Sequence, residues 1–317
     1  MPRCSVLMPV YNAERFVSEA VESILNQTYR DFEFVIIDDG STDRSRRILQ
    51  DYATLDPRIR LTSRPNTGYL RALNEGLGYC RGEYIARMDA DDVSLAERFE
   101  RQVAFLDAHP ECLMVGCALV RIDADGDVLC EEHLPETHDE IEARLLKPIG
   151  AIGHPAVMIR RQSLVEAGGY REEYCGAEDH DLWLRLAERG KLANLSEALL
   201  KCRVHLGNFT FVNEEQGRRA ARAALEDACR RRGRPLAVEV GPLPSPQSPI
   251  DRMRAWTRSA LYAGHFATAR KHAVSLWRQR PWQFDSWLLL LHALLGRWAK
   301  PLRTTYRRLM GRGGEEL

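Results

Sequence analysis

Short apolar runs alternate with longer segments of helical periodicity through the first half of the chain, which predicts βαβ units around a mainly parallel sheet. Residues 5–9 read as the first strand. A helix is expected over about 14–26, where Phe16, Val17, Ala20, Val21, Ile24 and Leu25 share one face. Residues 33–37, 59–62 and 83–88 read as the next strands. Between them Ile48, Leu49 and Tyr52 mark one helix, capped by Ser41 to Asp43, and Leu70, Leu73 and Leu77 mark another. A helix over 97–106, an apolar segment over 113–120, a strand over 156–159 and a helix over 179–188 complete the pattern. Asp123-Ala124-Asp125-Gly126-Asp127 reads as a polar turn, and residues 120–153 otherwise show no interpretable pattern.

The character changes near Arg234. Five prolines (Pro235, Pro242, Pro244, Pro246, Pro249) predict a linker, and the pattern beyond is helical to about Met310. Trp256, Leu261, Ala263, Gly264, Phe266, Ala269 and Pro281 resemble one tetratricopeptide-like hairpin, a unit that needs neighbours to bury its faces. The expected organisation is a domain over 1–217, a basic helix and proline-rich linker over 218–250, and a basic helical appendage over 251–317.

Net charge changes this picture only when it is divided. The 317 residues carry 45 basic and 45 acidic groups, but residues 1–217 hold 25 against 38 and residues 218–317 hold 20 against 7. A basic C-terminal third points to a polyanionic partner, either nucleic acid or an acidic membrane surface. RNA-binding signatures are lacking, which places nucleic acid last among the partners. Eight scattered cysteines form no metal-spaced cluster and suit a reducing compartment. The longest apolar stretch, 287–295, contains His292 and falls short of the roughly 20 residues that span a bilayer. Met1 runs through Ser5 into the first strand without an export signal, so a cytoplasmic protein, or one peripheral on the inner membrane face, is expected.

The candidate chemistry sits at strand ends. Asp38-Asp39-Gly40 follows the second strand and Asp89-Ala90-Asp91-Asp92 the fourth. Loops at the carboxyl ends of parallel strands gather on one edge, so the two clusters can share a crevice. Three carboxylates within four residues suit Mg2+ or Mn2+; a solvated, helix-capping turn is the bland alternative. Glu178-Asp179-His180-Asp181 opens an apolar helix, where acids are favoured by the macrodipole but one could act as general base. No glycine-rich dinucleotide fingerprint or P-loop occurs.

Taken in order, these pieces resemble glycosyltransferase family 2, the inverting enzymes of the GT-A nucleotide-diphospho-sugar transferase fold: an α/β, Rossmann-like, mainly parallel sheet. The resemblance rests on Val6 to Asn12, Gln27 to Glu33, Ile36 to Asp43, Asn66-Thr67-Gly68, Ala72 to Gly76, Asp89 to Asp92, His154-Pro155-Ala156, Gly168-Gly169-Tyr170, Glu178 to Trp183 and Arg203-Val204-His205, covering about 4–210. It implies that Pro9, Val10, Tyr11, Asn12 and Glu14 line the nucleotide, with Asp39 accepting from the base. It places Asp89 and Ala90 beside the donor, Asp91 and His205 on the metal, Arg71 near the diphosphate, and Asp179 as general base. The implied activity moves a hexosyl or N-acetylhexosaminyl group from a nucleotide-diphosphate sugar, UDP-type foremost, to a saccharide or lipid-linked acceptor in surface-polysaccharide synthesis. A catalytically inactive sugar-nucleotide-binding module is the alternative. A Q-x-x-R-W sequence is missing, which favours a non-processive enzyme. Trp256, Trp277, Trp282, Trp287 and Trp298, interleaved with basic residues, are candidates either for an anionic membrane surface or for packing.

Overall fold

A computed structural model describes residues 1–147, 150–233, 235 and 247–299. The chain divides into two compact units, residues 1–120 with 132–244 and residues 121–131 with 245–317. Most of the expected proline-rich linker, and everything beyond residue 299, lies outside the described residues.

The strands are β1 (Cys4–Val10), β2 (Phe32–Asp38), β3 (Ile59–Ser63), β4 (Tyr84–Arg87), β5 (Val93–Ser94), β6 (Cys112–Ile122), β7 (Val128–Glu132), β8 (Met158–Arg160) and β9 (Lys191–Arg203). They follow the spatial order β3-β2-β1-β4-β8-β6-β9-β5, with β7 beside β6. The β3-β2-β1-β4 half is parallel; β8 joins β4 antiparallel and β6 joins β8 antiparallel. The helices of the first unit are α1 (Val17–Leu25), α2 (Ser45–Leu55), α3 (Tyr69–Tyr79), α4 (Arg98–Ala108), α5 (His138–Leu145), α6 (Arg161–Glu166), α7 (Glu178–Ala187), α8 (Phe209–Val212) and α9 (Glu214–Arg231).

Strand periodicity explains the two cores. Val6, Met8 and Val10 of β1 pack with Val17, Val21, Ile24 and Phe34 on one face, whereas Leu7 packs with Val35, Ile37, Leu70 and Leu73 on the other. Both faces of the parallel half are therefore apolar, as helix-covered sheets require. Buried side chains from α4 satisfy the backbone where the sheet changes direction: Arg98 donates to the carbonyls of Arg87 and Val157, and Gln102 to those of Val115 and Ala156.

Three features depart from the expected pattern. β9 is a long strand that periodicity misses, because Lys191, Glu197 and Lys201 interrupt its apolar positions. The unreadable 120–153 region contains β7 and α5, the latter opened by a capping box between Thr137 and Glu140. The basic helix, expected from 218 as part of a segment separate from the 1–217 domain, is α9, which packs on α7 within the first unit. Its charges are largely matched there: Arg231 and Arg232 reach Glu188, Arg232 also reaches Glu142, and Arg171 bridges Asp181 to Asp227. Arg231 and Arg232, at the start of the basic C-terminal third, are thus matched by acids of the N-terminal region.

The second unit holds α10 (Pro249–Ala263), α11 (Phe266–Gln279) and α12 (Phe284–Leu295). Ser248 caps α10 ahead of Pro249, and Gly264 ends it in the left-handed conformation at φ 85°. The acidic turn belongs to this unit rather than to the N-terminal domain. Asp123 Oδ1 accepts from the backbone N–H groups of Asp125 and Asp127, closing the turn. Lys271 Nζ then sits 2.7 Å from a carboxylate oxygen of each of Asp123, Asp125 and Asp127, and His272 reaches Asp123 at 2.8 Å. Burial alone would lower the Lys271 pKa, but its bonds to the three acids hold it above the usual range. An ammonium group occupies the centre of the acidic loop.

Candidate active site

The site begins where β1 and β2 end side by side. Asp38 Oδ1 accepts from the Ser41 N–H at 3.0 Å, tightening the turn through Gly40. Gly40 has φ 76°, and a Cβ there would lie 2.5 Å from the Asn66 backbone nitrogen, so both conformation and space demand glycine. Asp39 is buried; its two oxygens accept from the N–H groups of Thr67 and Gly68 at 3.0 Å, and Arg64 lies 3.1 Å away. The carboxylate expected to meet a nucleobase thus also ties the 64–68 loop to β2, with lone pairs remaining for a further donor.

Ser41 to Asp43 do not cap α2 as expected: its N-cap is Arg44 with no side-chain cap bond, Asp43 alone accepts from the Ser45 N–H at 2.9 Å, and the other bonds of the segment run to the first loop. Asn12 Oδ1 accepts from the Thr42 N–H at 2.8 Å, Ser41 Oγ from the Asn12 N–H, Ser45 Oγ from the Ala13 N–H, and Asp43 from the Glu14 N–H at 3.0 Å. Glu14 returns the bond by accepting from the Arg44 N–H, which with Arg44's side chain holds its pKa below the usual range. Asn12 is the only non-glycine residue with positive φ, 49°, among those described. Two loops from separate strands are thereby zipped into one wall. Tyr11 is half exposed on it, whereas Pro9 and Val10 are buried within β1 and can offer only backbone to a ligand.

Opposite this wall, Asp89, Asp91 and Asp92 bring carboxylate oxygens within 4.8 Å of one another. Ala90 points between them into the core, which leaves only its backbone for a donor. Asp92 is buried; Oδ1 accepts from the Arg203 N–H at 2.8 Å, while Oδ2 has no hydrogen-bond partner. Burial, then repulsion from Asp91 and Asp89, pushes its pKa well above the carboxylate range. The end of β9 closes the cluster from the far side of the sheet. Arg203 also donates to the Asp91 carbonyl at 2.7 Å, and His205 Nε2 and Asn208 Nδ2 each lie 3.0 Å from Asp91 Oδ2.

These residues fit a hard divalent cation. His205 Nε2 and Asp91 Oδ2 lie within hydrogen-bond distance of each other at 3.0 Å, so an imidazole nitrogen and a carboxylate oxygen would both be at hand to hold one ion. The orphaned Asp92 oxygen offers a further donor atom beside Asp89 and Asp91, whose negative charge such an ion would balance.

α7 brings the remaining acids to the same edge. Asp179 Oδ1 accepts from the His180 N–H at 2.7 Å, and Glu178 Oε2 from the Gly176 N–H at 2.7 Å. Burial raises the Asp179 pKa; the same effect, with repulsion from Asp179, raises that of Glu178 to about 7. Asp179 is partly exposed and Glu178 buried, so Asp179 is the carboxylate a substrate can reach. Its charge also acts on Asp89, whose pKa is raised by burial and, further, by Asp91 and Asp179.

Arg87 lies at the centre of this group and was not singled out by sequence. It is completely enclosed, with Nη1 against Asp89 Oδ1 and Nη2 against the Tyr69 hydroxyl. Tyr69 and Tyr170 flank His154, whose Nε2 lies 2.9 Å from the Tyr170 hydroxyl. Burial, then the Arg87 charge, hold His154 well below its usual pKa, so it is a neutral packing residue here. The Arg87 charge also lowers the pKa values of Asp89, Glu178 and Asp179. Arg71 is paired with Glu172 at 3.1 Å, both side chains exposed. Asn208 was missed as well; the only signal was a polar residue three positions beyond His205.

The raised Glu178 pKa has a thermodynamic consequence. A carboxyl that titrates near 7 folded and near 4.5 unfolded makes the folded state bind the extra proton, so stability falls as pH rises between those values. Glu178→Gln should therefore melt at higher temperature than wild type above pH 7, by on the order of 1–3 kcal/mol, and the two should converge below about pH 4.5. Thermal melts across that window test the sign.

The family model for glycosyl transferase family 2 matches residues 5–169. The amylovoran biosynthesis glycosyltransferase AmsE of Erwinia amylovora is 33% identical over 219 residues, covering 67% of this chain and 79% of that protein. Among solved structures, S. aureus TarS 1–349 in complex with UDP-GlcNAc superposes with a TM-score of 0.55 at 19% identity, over 92% of this chain and 79% of that one. The mannosyltransferase PcManGT from Pyrobaculum calidifontis, in complex with GDP-Man and Mn2+, gives 0.54 at 22% identity, over 96% and 83%. The structural matches establish a shared GT-A fold, and the sequence matches go further. With its family model spanning both acidic strand ends and a relative one-third identical over most of its length, the chain belongs to glycosyltransferase family 2.

Proposed function

We propose that this glycosyltransferase is metal-dependent and inverting, and moves one hexosyl or N-acetylhexosaminyl group at a time from a UDP-sugar to a hydroxyl of a lipid-linked saccharide during surface-polysaccharide assembly. The observation that carries the reading is the meeting of Asp89, Asp91, His205 and Asp179 on one edge of the sheet. Relatives named for amylovoran and O-antigen biosynthesis support the acceptor class, and the TarS complex with UDP-GlcNAc supports the donor class. Exposed Leu206, Phe209 and Val212, immediately after His205, suit an acceptor with an apolar portion.

In this reading the zipped loops at residues 12–14 and 41–45 receive the nucleoside, with Asp39 offering an acceptor to the base. Asp91 and His205 would hold the cation, which stabilises the charge of the departing nucleoside diphosphate by several kcal/mol when bound. Asp179 takes the proton from the acceptor hydroxyl as its oxygen attacks the anomeric carbon from the face opposite the leaving group. One displacement inverts that carbon, and the proton ends on Asp179. Arg87 pairs with Asp89, and its charge favours the ionised forms of Asp89 and Asp179 against the burial that opposes them.

A screen of UDP-sugars and GDP-mannose for acceptor-dependent release of nucleoside diphosphate, with Mg2+ or Mn2+, tests the proposal. Asp91→Ala should lower turnover by about 10²-fold or more and weaken Mn2+ binding in calorimetry. Full turnover in excess chelator would remove the cation from the reaction, and donor binding without any turnover would favour the inactive binding module.

A further inference from the structure

α12 is amphipathic in the inverse sense. Its buried positions include the polar Ser286 and His292, while the residues it exposes, Phe284, Trp287, Leu291, Leu294 and Leu295, are all apolar. The spacing of three and four residues lines them along one face. Trp282, 94% exposed before the helix, and Trp298, 80% exposed after it, extend the stripe at both ends. The one acidic side chain of α12, Asp285, is turned inward to Arg254 and Arg258. A helix that shows water only apolar side chains is incomplete without something covering them.

The flanking charges say what covers it. Arg278 and Arg280 are exposed just upstream, and residues 297–312 contain Arg297, Lys300, Arg303, Arg307, Arg308 and Arg312 with no acidic residue. A second copy seated on α12 would bring two such basic segments together, whereas anionic lipid headgroups neutralise them. Tryptophans flanking an apolar stripe suit the headgroup boundary, where an amphipathic ring has both its environments. The charge pairing of α9 and α10 removes their arginines from this role and leaves Arg278, Arg280 and the basic sequence that follows α12 as its charge.

We infer that α12, with Trp282 and Trp298, is a membrane-docking face that lies on an anionic bilayer surface. The inference is independent of the transfer reading, since binding is measured without donor or acceptor. The full chain should co-sediment with vesicles of phosphatidylcholine containing roughly one-third phosphatidylglycerol and stay in the supernatant with phosphatidylcholine alone. Raising the salt should weaken the partition. Trp287→Ser combined with Leu291→Ser, both at exposed positions, should weaken it by about tenfold or more while leaving donor hydrolysis unchanged. Wild type that ignores anionic vesicles, or a double variant that binds as well as wild type, overturns the inference. A wild-type dimer that the double variant dissolves, without vesicle binding, overturns it in favour of a second copy.

Discussion

Asp179→Asn should lose sugar transfer by about 10²- to 10⁴-fold in kcat, the usual contribution of a positioned general base, while donor affinity stays unchanged. The substitution is nearly isosteric, and its side-chain oxygen can still accept from the His180 N–H that orients Asp179. What it removes is a group able to hold the acceptor's proton. The pH profile provides a second readout. Asp179 must be ionised to act, and burial raises its pKa against the opposing effects of His180 and the Arg87 charge. Wild-type kcat/KM should therefore fall on the acid side from a higher pH than an ordinary aspartate would give, and the residual rate of the variant should lose that limb. An unchanged rate would remove Asp179 from the mechanism.

Arg87→Met should be the most damaging single change away from the reacting atoms. The guanidinium is enclosed between Asp89 and Tyr69, and removing one partner of a buried ion pair typically costs about 3–5 kcal/mol. The chemistry suffers by the same cause. The Arg87 charge opposes the upward pKa shifts of Asp89, Glu178 and Asp179, so without it all three bind protons more readily. The acid limb of kcat/KM should move to higher pH, an effect that loss of packing alone would not produce. Arg87→Lys keeps the charge in a smaller group and should restore the pH profile more fully than the stability.

These expectations rest on features of unequal legibility. The βαβ half could be read because each of its elements writes its own periodicity: Val6, Met8 and Val10 against Leu7 in β1, or Val17, Ala20, Val21 and Ile24 along α1. The acids at its strand ends were visible for the same reason, since topology alone brings the carboxyl ends of parallel strands together. β9 was not visible, because a strand interrupted by Lys191, Glu197 and Lys201 has no clean alternation. Yet β9 delivers Arg203, His205 and Asn208 to the acid cluster. Asp123-Ala124-Asp125-Gly126-Asp127 was readable as a turn, but not as a cage for Lys271, a residue 148 positions from Asp123.

By itself, then, the order of residues determined the parallel sheet, the acidic strand ends and the family, because these follow from local periodicity and from motifs a few residues long. Folding decided which carboxylates face one another, that Arg87 sits beneath them, that α9 matches its arginines internally, and that α12 turns its apolar side outward. Proton affinity and exposure depend on neighbours drawn from distant parts of the chain. No short window of sequence contains both partners of such a pair.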